Sequence, residues 1–182
     1  MNLKSILEHL LRFFQQKGID YALIGAFALK AYGYPRATQD VDFLVRIEAQ
    51  EKIIRHLESL GYETLYRSRG FSHHLHPLSR LGRIDFVYVA GETADMMFAA
   101  TRFLLLLDEF SIPVVKLEHL IALKVYAMEN DPDRTFQEMA DIQHLMRVPG
   151  IDRDEVRGYF VKFGQLEKYD ELTGRNNNAS QP

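Results

Sequence analysis

The chain has 182 residues, of which 47% are hydrophobic, and it carries a formal net charge of −3 with an isoelectric point of about 6.2. This content is sufficient for one compact core with a helical appendage, and the acidic balance disfavours a protein that coats nucleic acid over a long footprint. A local contact with one RNA end stays open. The absence of cysteine excludes disulfides and thiolate metal sites. No apolar run is long enough to span a membrane, and we expect a cytoplasmic protein.

The first part of the chain mixes predicted strands and helices. Apolar residues at helical spacing predict an amphipathic helix over 3–17, which Gly18 ends. Short apolar or alternating runs predict strands at 21–24, 40–46, 63–66, 71–76 and 83–89. Helical patterns follow at 26–31, 48–60 and 94–100. The runs 103–107 and 112–115 are predicted to form a hairpin or an edge pair.

The second part of the chain carries helical signals only. Helices are predicted at 117–128, 132–146, 152–163 and 165–172. An Asn-rich tail at 174–182 is expected to be disordered. The pattern therefore predicts an α+β core over residues 1–115, followed by a C-terminal helical part over 116–173.

Two carboxylates, Asp40 and Asp42, alternate with apolar residues in the predicted strand 40–46. The alternation places them on one face, where like charges repel each other. Mg²⁺ (or Mn²⁺) offsets this repulsion best, because such ions are held by one or two carboxylates and complete their shell with substrate phosphates. The alternative is a solvated edge-strand face with no ligand.

A glycine turn precedes these acids. Gly25 ends the strand 21–24 and opens a short helix, whose first backbone N–H groups, at Gly25 and Ala26, can bind phosphate without side-chain help. Arg36 is either a phosphate contact or a solvated turn arginine. Turn and carboxylates together predict metal-dependent transfer of a nucleotidyl or phosphoryl group.

A third acid, Asp85, stands alone among apolar residues in the strand 83–89. If this strand neighbours the first acidic strand, three carboxylates converge, and two metal ions can bridge the attacking and leaving oxygens. The alternative for Asp85 is an ion pair with Arg83 or Arg80.

The stretch 66–84 contains several arginines and histidines and no acid. A zinc site at His74 and His76 is disfavoured, because only two ligands would converge there. A cationic rim for a phosphate-bearing substrate fits better, and the alternative is a solvated basic hairpin.

The motif Gly25-Ala26 with Arg36-x-Thr38-x-Asp40-x-Asp42 resembles the nucleotidyltransferase superfamily with a polymerase-β-type core. Over residues 18–147 the chain is most similar to AbiEii/AbiGii-type toxin nucleotidyltransferases and their minimal relatives. The resemblance implies a short mixed sheet flanked by helices. The catalytic residues that it implies are Asp40, Asp42, Asp85, Lys124 and Asp141, the first three as metal ligands. The nucleotide-binding residues that it implies are Gly25, Ala26, Arg36, Thr38 and Lys124.

The activity implied by the resemblance is transfer of a nucleotidyl group from an NTP to a hydroxyl acceptor. The acceptor can be an RNA end such as a tRNA 3′ terminus, a protein, or a small molecule, within a toxin–antitoxin or defence system that includes a partner protein. The family usually has Gly-Gly or Gly-Ser where this chain has Gly25-Ala26. A catalytically degenerate module that binds nucleotide or a partner protein, or a plain interaction domain, therefore stays open.

Lys124 and Asp141 have simpler interpretations beside the functional one. Lys124 can be a surface lysine whose stem covers apolar residues, and Asp141 can belong to a solvated helical face. If Lys124 binds nucleotide phosphates, we expect its removal to weaken nucleotide binding with little loss of folding stability.

Overall fold

A computed structural model describes residues 3–38, 40–106 and 110–174. Within these ranges the protein is α+β, with eight α-helices and a mixed sheet of seven strands, which confirms the expected fold class. Except for Gly174, the predicted tail lies outside the described residues, as does the end of the predicted strand 103–107. The chain divides into two compact units, Met1–Lys116 and Leu117–Pro182.

The first unit contains all seven strands and four of the helices. The strands are β1 (Tyr21–Ile24), β2 (Asp40–Arg46), β3 (Glu63–Arg67), β4 (Phe71–Leu75), β5 (Arg83–Val89), β6 (Arg102–Leu106) and β7 (Phe110–Val114). The helices are α1 (Leu3–Lys17), α2 (Gly25–Ala31), α3 (Gln50–Ser59) and α4 (Gly91–Ala99). The predicted elements are present, with shifts at their ends.

The strand order in the sheet is β3-β4-β5-β2-β1-β7-β6. The pairs β2–β5 and β1–β7 are parallel, and the other neighbours are antiparallel. The acidic strand β2 therefore lies in the middle of the sheet, between β1, which leads into the glycine turn, and β5, which carries the third acid.

One face of the sheet is covered by α1. The ring of Phe14 packs edge-on against Phe43 of β2 and Phe86 of β5, with ring centroids 5.3 and 6.4 Å apart. Phe43 and Phe86 are completely buried. Because side chains alternate along a strand, Asp42 and Asp85 point to the opposite face. The aromatic core thus fixes the strands that present the acids.

The second unit contains α5 (Leu117–Asn130), α6 (Thr135–Leu145), α7 (Arg153–Lys162) and α8 (Leu166–Thr173). Helix α5 packs against α6 and α7, and α8 packs against α7 and α6. Asp152 caps α7, because its Oδ1 accepts hydrogen bonds from the backbone N–H groups of Asp154 and Glu155 at 3.0 and 2.9 Å. None of the described helices is long and apolar enough to cross a membrane.

Candidate active site

The register of β2 and β5 aligns the predicted acids. Asp42 pairs with Asp85, and Asp40 pairs with Arg83. Paired positions of neighbouring strands point to the same face of a sheet, so that Asp40, Asp42 and Asp85 share the face opposite α1. This acid face, defined by these three carboxylates, is formed by two strands that are distant in the sequence and become neighbours only through the strand order of the sheet.

Gly25 borders the acid face directly. Its neighbour Ile24 pairs with Asp42, and Gly25 itself has φ of +62°, a conformation that L side chains rarely adopt. A Cβ atom at this position would overlap the carboxylate of Asp42. Glycine is required here for two reasons, the turn into α2 and the close approach of its backbone to Asp42.

Thr38 fixes the start of β2 through its hydroxyl. Its Oγ1 accepts a hydrogen bond from the backbone N–H of Asp40 at 3.1 Å and lies 3.3 Å from the Asp40 carbonyl oxygen. This contact orients the backbone that carries the first acid of the face. Arg36 lies half-buried two residues earlier. The nucleotide contacts expected of Thr38, Arg36, Gly25 and Ala26 stay predictions.

Asp85 is contacted by the side chains of Arg83 and His73. Arg83 Nε donates to Asp85 Oδ1 at 2.8 Å, and His73 Nδ1, on the paired position of β4, lies 3.0 Å from the same oxygen. The His73 contact is an ion-pair distance without the alignment of a good hydrogen bond. The pKa of Arg83 is raised, first by the hydrogen bond to Asp85 and further by the charges of Asp85, Asp40 and Asp42. The alternative that Asp85 pairs with Arg83 is therefore present in the structure.

The donor set of the acid face fits Mg²⁺ through Asp40 and Asp42. Such ions need one or two carboxylates, with water and substrate phosphates as the other ligands. In the described ranges, no group of three or more His, Asp and Glu side chains is arranged to hold a metal ion. Asp85 can become a third ligand only by sharing or releasing Arg83 and His73, and its role as a ligand stays a prediction.

Lys124 lies in the second unit and is not a surface lysine. Its ammonium donates to Glu138 Oε2 at 2.8 Å and to Asp141 Oδ2 at 2.6 Å, and the three residues are 7%, 2% and 1% exposed. Arg134 donates to Glu138 Oε1 at 2.6 Å. The interpretations of Lys124 as a snorkelling lysine and Asp141 as a solvated acid are wrong. The catalytic roles of both stay predictions.

His74 and His76 are not arranged as a zinc site. His74 is completely buried, with Nε2 2.8 Å from Ser72 Oγ and Nδ1 3.2 Å from Thr64 Oγ1. Burial lowers the pKa of His74 to about 4. His76 Nδ1 instead accepts a hydrogen bond from the backbone N–H of Leu78. His74 is a core residue on the α1 side of the sheet.

The sequence places Arg83 and His73 in the basic stretch 66–84, as a cationic rim for a phosphate-bearing substrate, and offers Arg83 as an alternative ion-pair partner of Asp85. It does not single out Glu138 as a functional candidate. For Glu138 a signal existed, because its position three residues before Asp141 puts both acids on one side of α6. For Arg83 the i, i+2 spacing to Asp85 was the signal.

A mixed sheet with two acids on one central strand, a third on the parallel neighbour and a glycine turn beside them defines a nucleotidyltransferase-type domain. The family model described as "Nucleotidyl transferase AbiEii toxin, Type IV TA system" matches residues 6–180. The chain belongs to this family, and the resemblance noted from its motifs is confirmed.

Solved structures with the same fold include two antibiotic-modifying enzymes. The lincosamide antibiotic adenylyltransferase LnuA, lincomycin-bound, is 16% identical with a TM-score of 0.54 and covers 81% of this chain and 98% of its own. ANT(2″)-Ia in complex with adenylyl-2″-tobramycin is 13% identical with a TM-score of 0.56 and covers 96% and 98%.

A third similar structure is an antigenic nucleotidyltransferase-like protein from Paracoccidioides brasiliensis, 14% identical with a TM-score of 0.55 over 95% of this chain and 91% of its own. At these identities the likeness establishes the fold alone. Among curated proteins, the sequence finds no match.

Proposed function

We propose that the protein is a metal-dependent nucleotidyltransferase that moves a nucleotidyl group from an NTP to a hydroxyl acceptor. The observation that carries this proposal is the register that sets Asp42 beside Asp85, with Asp40 on the same face. Three carboxylates on one face of a sheet repel each other, and this arrangement suits the binding of a cation with its phosphates.

In this proposal Asp40 and Asp42 hold Mg²⁺ or Mn²⁺, with Asp85 as the third ligand. When bound, the metal would lower the pKa of the acceptor hydroxyl and offset charge on the leaving pyrophosphate. Gly25 keeps the backbone close to the Asp42 carboxylate and Thr38 orients Asp40, so that both acids are held before any substrate enters. Gly25, Ala26, Arg36 and Thr38 are the proposed contacts of the nucleotide.

Lys124 and Asp141 enter the proposal through the family resemblance. Lys124 is proposed to neutralise phosphate charge as a point cation, and Asp141 to orient it. The second acid on the same ammonium, Glu138, is itself tied to Arg134. A lysine fixed by two acceptors loses little rotamer freedom when it binds a further anion, which favours a positioned role over a mobile one.

The proposed acceptor is an RNA end such as a tRNA 3′ terminus, a protein, or a small molecule. The family description supports a toxin–antitoxin context, and a partner protein is part of the proposal. The test is incubation with each of the four NTPs, labelled at the α-phosphate, together with Mg²⁺ and either total RNA, cell protein, or lincomycin and tobramycin. Label transfer to one acceptor, absent with γ-labelled NTP and with Asp42→Asn, is the expected result. Growth arrest on expression, relieved by Asp42→Asn, would link the chemistry to toxicity.

A second candidate is a catalytically degenerate module that binds nucleotide or a partner protein without turnover. Two observations favour it: Ala26 replaces the Gly or Ser of the family's turn, and Asp85 is engaged by Arg83 and His73. Mg²⁺-dependent NTP binding with no label transfer to any acceptor class would support this candidate. The absence of NTP binding would contradict nucleotidyl transfer and would leave only the form of this candidate that binds a partner protein.

A further inference from the structure

The acid face contains a cation of its own. Arg83 pairs with Asp40 across β2 and β5, lies two residues before Asp85 on the same strand, and points to the same face as the three acids. Its Nε donates to Asp85 Oδ1 at 2.8 Å, and the side chain is 37% exposed. The guanidinium is therefore both tied to one acid and open to solvent.

All three acids act on this guanidinium. Arg83 is hydrogen-bonded to Asp85, holds the register position opposite Asp40 and shares the face of Asp42, so that its guanidinium lies in the negative potential of all three carboxylates. A divalent cation that binds the same carboxylates meets a positive charge that already screens them. Arg83 and the metal are thus competitors for the negative potential of one face.

We infer that Arg83 is the resident counter-ion of the acid face and that it becomes a ligand of the nucleotide's phosphates when metal and NTP bind. This inference rests on the proposed function and adds a residue to it. The planar fork of an arginine suits phosphate oxygens, and a triphosphate brings in more negative charge than the metal neutralises. When the metal binds the carboxylates, Arg83 therefore gains the nucleotide's phosphate oxygens as hydrogen-bond acceptors.

A second side chain beside Asp85 makes this exchange feasible. His73 approaches Asp85 Oδ1 from β4, on the opposite side from β2, and its side chain is 30% exposed. When Arg83 turns towards phosphate, Asp85 keeps His73 beside it. The carboxylate is therefore not left without a partner on a face where it is only 15% exposed.

The competing explanation is a structural ion pair that only strengthens the β4–β5 edge of the acid face. The two explanations differ in the sign of one effect. A structural arginine, when removed, disturbs the face and weakens both metal and nucleotide binding. A counter-ion that competes with the metal, when removed, strengthens binding of the metal alone and weakens binding of the nucleotide.

The experiment compares Arg83→Gln and Arg83→Lys with Arg80→Gln, which removes an exposed arginine three residues earlier. Calorimetry gives the Kd of Mn²⁺ alone and the Kd of each of the four NTPs with Mg²⁺, and thermal unfolding checks the fold. For Arg83→Gln we expect Mn²⁺ to bind about fivefold more tightly, as expected for loss of a partly screened like charge. We expect the preferred NTP to bind about tenfold more weakly.

Arg83→Lys keeps the charge and loses the fork, so that Mn²⁺ affinity should stay near that of the wild type while NTP affinity falls. Arg80→Gln should change neither. Mn²⁺ and NTP affinities that move in the same direction in Arg83→Gln, or do not move, overturn the inference while leaving the proposed function intact. A wild-type protein that binds neither Mn²⁺ nor any NTP overturns both.

Discussion

Among the described residues, each unit contains a cluster in which acidic and basic side chains contact each other, and the two clusters differ in exposure. In the first unit Asp85, Arg83 and His73 are 15%, 37% and 30% exposed at their side chains. In the second unit Lys124, Glu138 and Asp141 are 8%, 2% and 2% exposed. The open cluster is accessible to a ligand, whereas removal of one charged side chain from the closed cluster leaves its partner buried without compensation.

Because of this difference in exposure, we expect substitutions on the acid face to change activity and substitutions in the closed cluster to change stability. Open carboxylates that repel each other contribute little to stability and are available to ligands. A closed ion pair is costly to desolvate but strongly destabilising when only one partner is removed. Activity and stability measured on matched variants test this division.

The largest effect is the loss of activity expected for Asp42→Asn on the acid face. Loss of one metal ligand should reduce nucleotidyl transfer on the order of ten thousandfold, equivalent to about 5 kcal/mol of transition-state stabilisation. The melting temperature should stay the same or rise slightly, because a like-charge repulsion is relieved. The measurement is the rate of label transfer together with thermal unfolding.

The control for this variant is Asp20→Asn, which neutralises an acid that is 56% exposed at its side chain and pairs with Arg46. It should leave the transfer rate unchanged. Full activity of Asp42→Asn, in a preparation whose wild type transfers label, would remove Asp42 from the site.

The next largest effect is the loss of stability expected for Lys124→Met in the closed cluster. Both acids would keep their burial and lose the shared ammonium, and the free energy of unfolding should fall by about 4 kcal/mol. The sequence alone predicts little loss of stability here, and the buried contacts change that expectation. Urea unfolding of the wild type and the variant measures the difference.

Lys168→Met is the matched control, because Lys168 pairs with Glu171 on the surface of α8 at 3.0 Å. Its cost should stay below about 0.5 kcal/mol. Combining Lys124→Met with Glu138→Gln and Asp141→Asn should recover part of the loss by removing the buried charges. A Lys124→Met protein as stable as the wild type would show that this cluster is open in solution.

Local patterns predicted most of the fold, because strand alternation and helical spacing are short-range. The face shared by Asp40 and Asp42 follows from alternation within β2 and needs no tertiary information. The pairing of Asp42 with Asp85 depends on β5 lying beside β2, which the chain order does not specify. Likewise, nothing near Lys124 in the sequence shows that α6 supplies its two acids.

A smaller effect is expected in the pH dependence of stability. It comes from β4, where two neighbouring histidines point to opposite faces and have different surroundings. His73 approaches Asp85 on the acid face, whereas His74 is completely buried on the other. Burial lowers the pKa of His74 from 6.5 to about 4, so that the folded protein keeps it neutral where the unfolded chain protonates it. Stability is fully present above pH 6.5 and falls by about 3 kcal/mol as the pH drops towards 4.

Urea unfolding at several pH values between 7 and 4 measures this loss. In His74→Gln the slope of stability against pH over this interval should be shallower, whatever the absolute stability of the variant, because one titrating group is gone. Equal slopes for the wild type and His74→Gln would place the acid sensitivity of the fold in other groups.

The smallest effect is a difference in stability between alanine substitutions at two glycines, one at each end of α2. Gly25 and Gly33 have φ of +62° and +89°, so that alanine is strained at both. A Cβ at Gly25 would overlap the Asp42 carboxylate, whereas at Gly33 it would meet nothing within 4 Å. Gly25→Ala should therefore reduce the free energy of unfolding by about 1 to 2 kcal/mol more than Gly33→Ala, and the excess comes from the overlap alone.

Only Gly25→Ala should weaken Mn²⁺ binding, because Asp42 must move to make room. Equal costs with unchanged Mn²⁺ affinity would mean that the Asp42 carboxylate does not lie against Gly25. The position of Asp42 on the acid face would then be set by the strands alone.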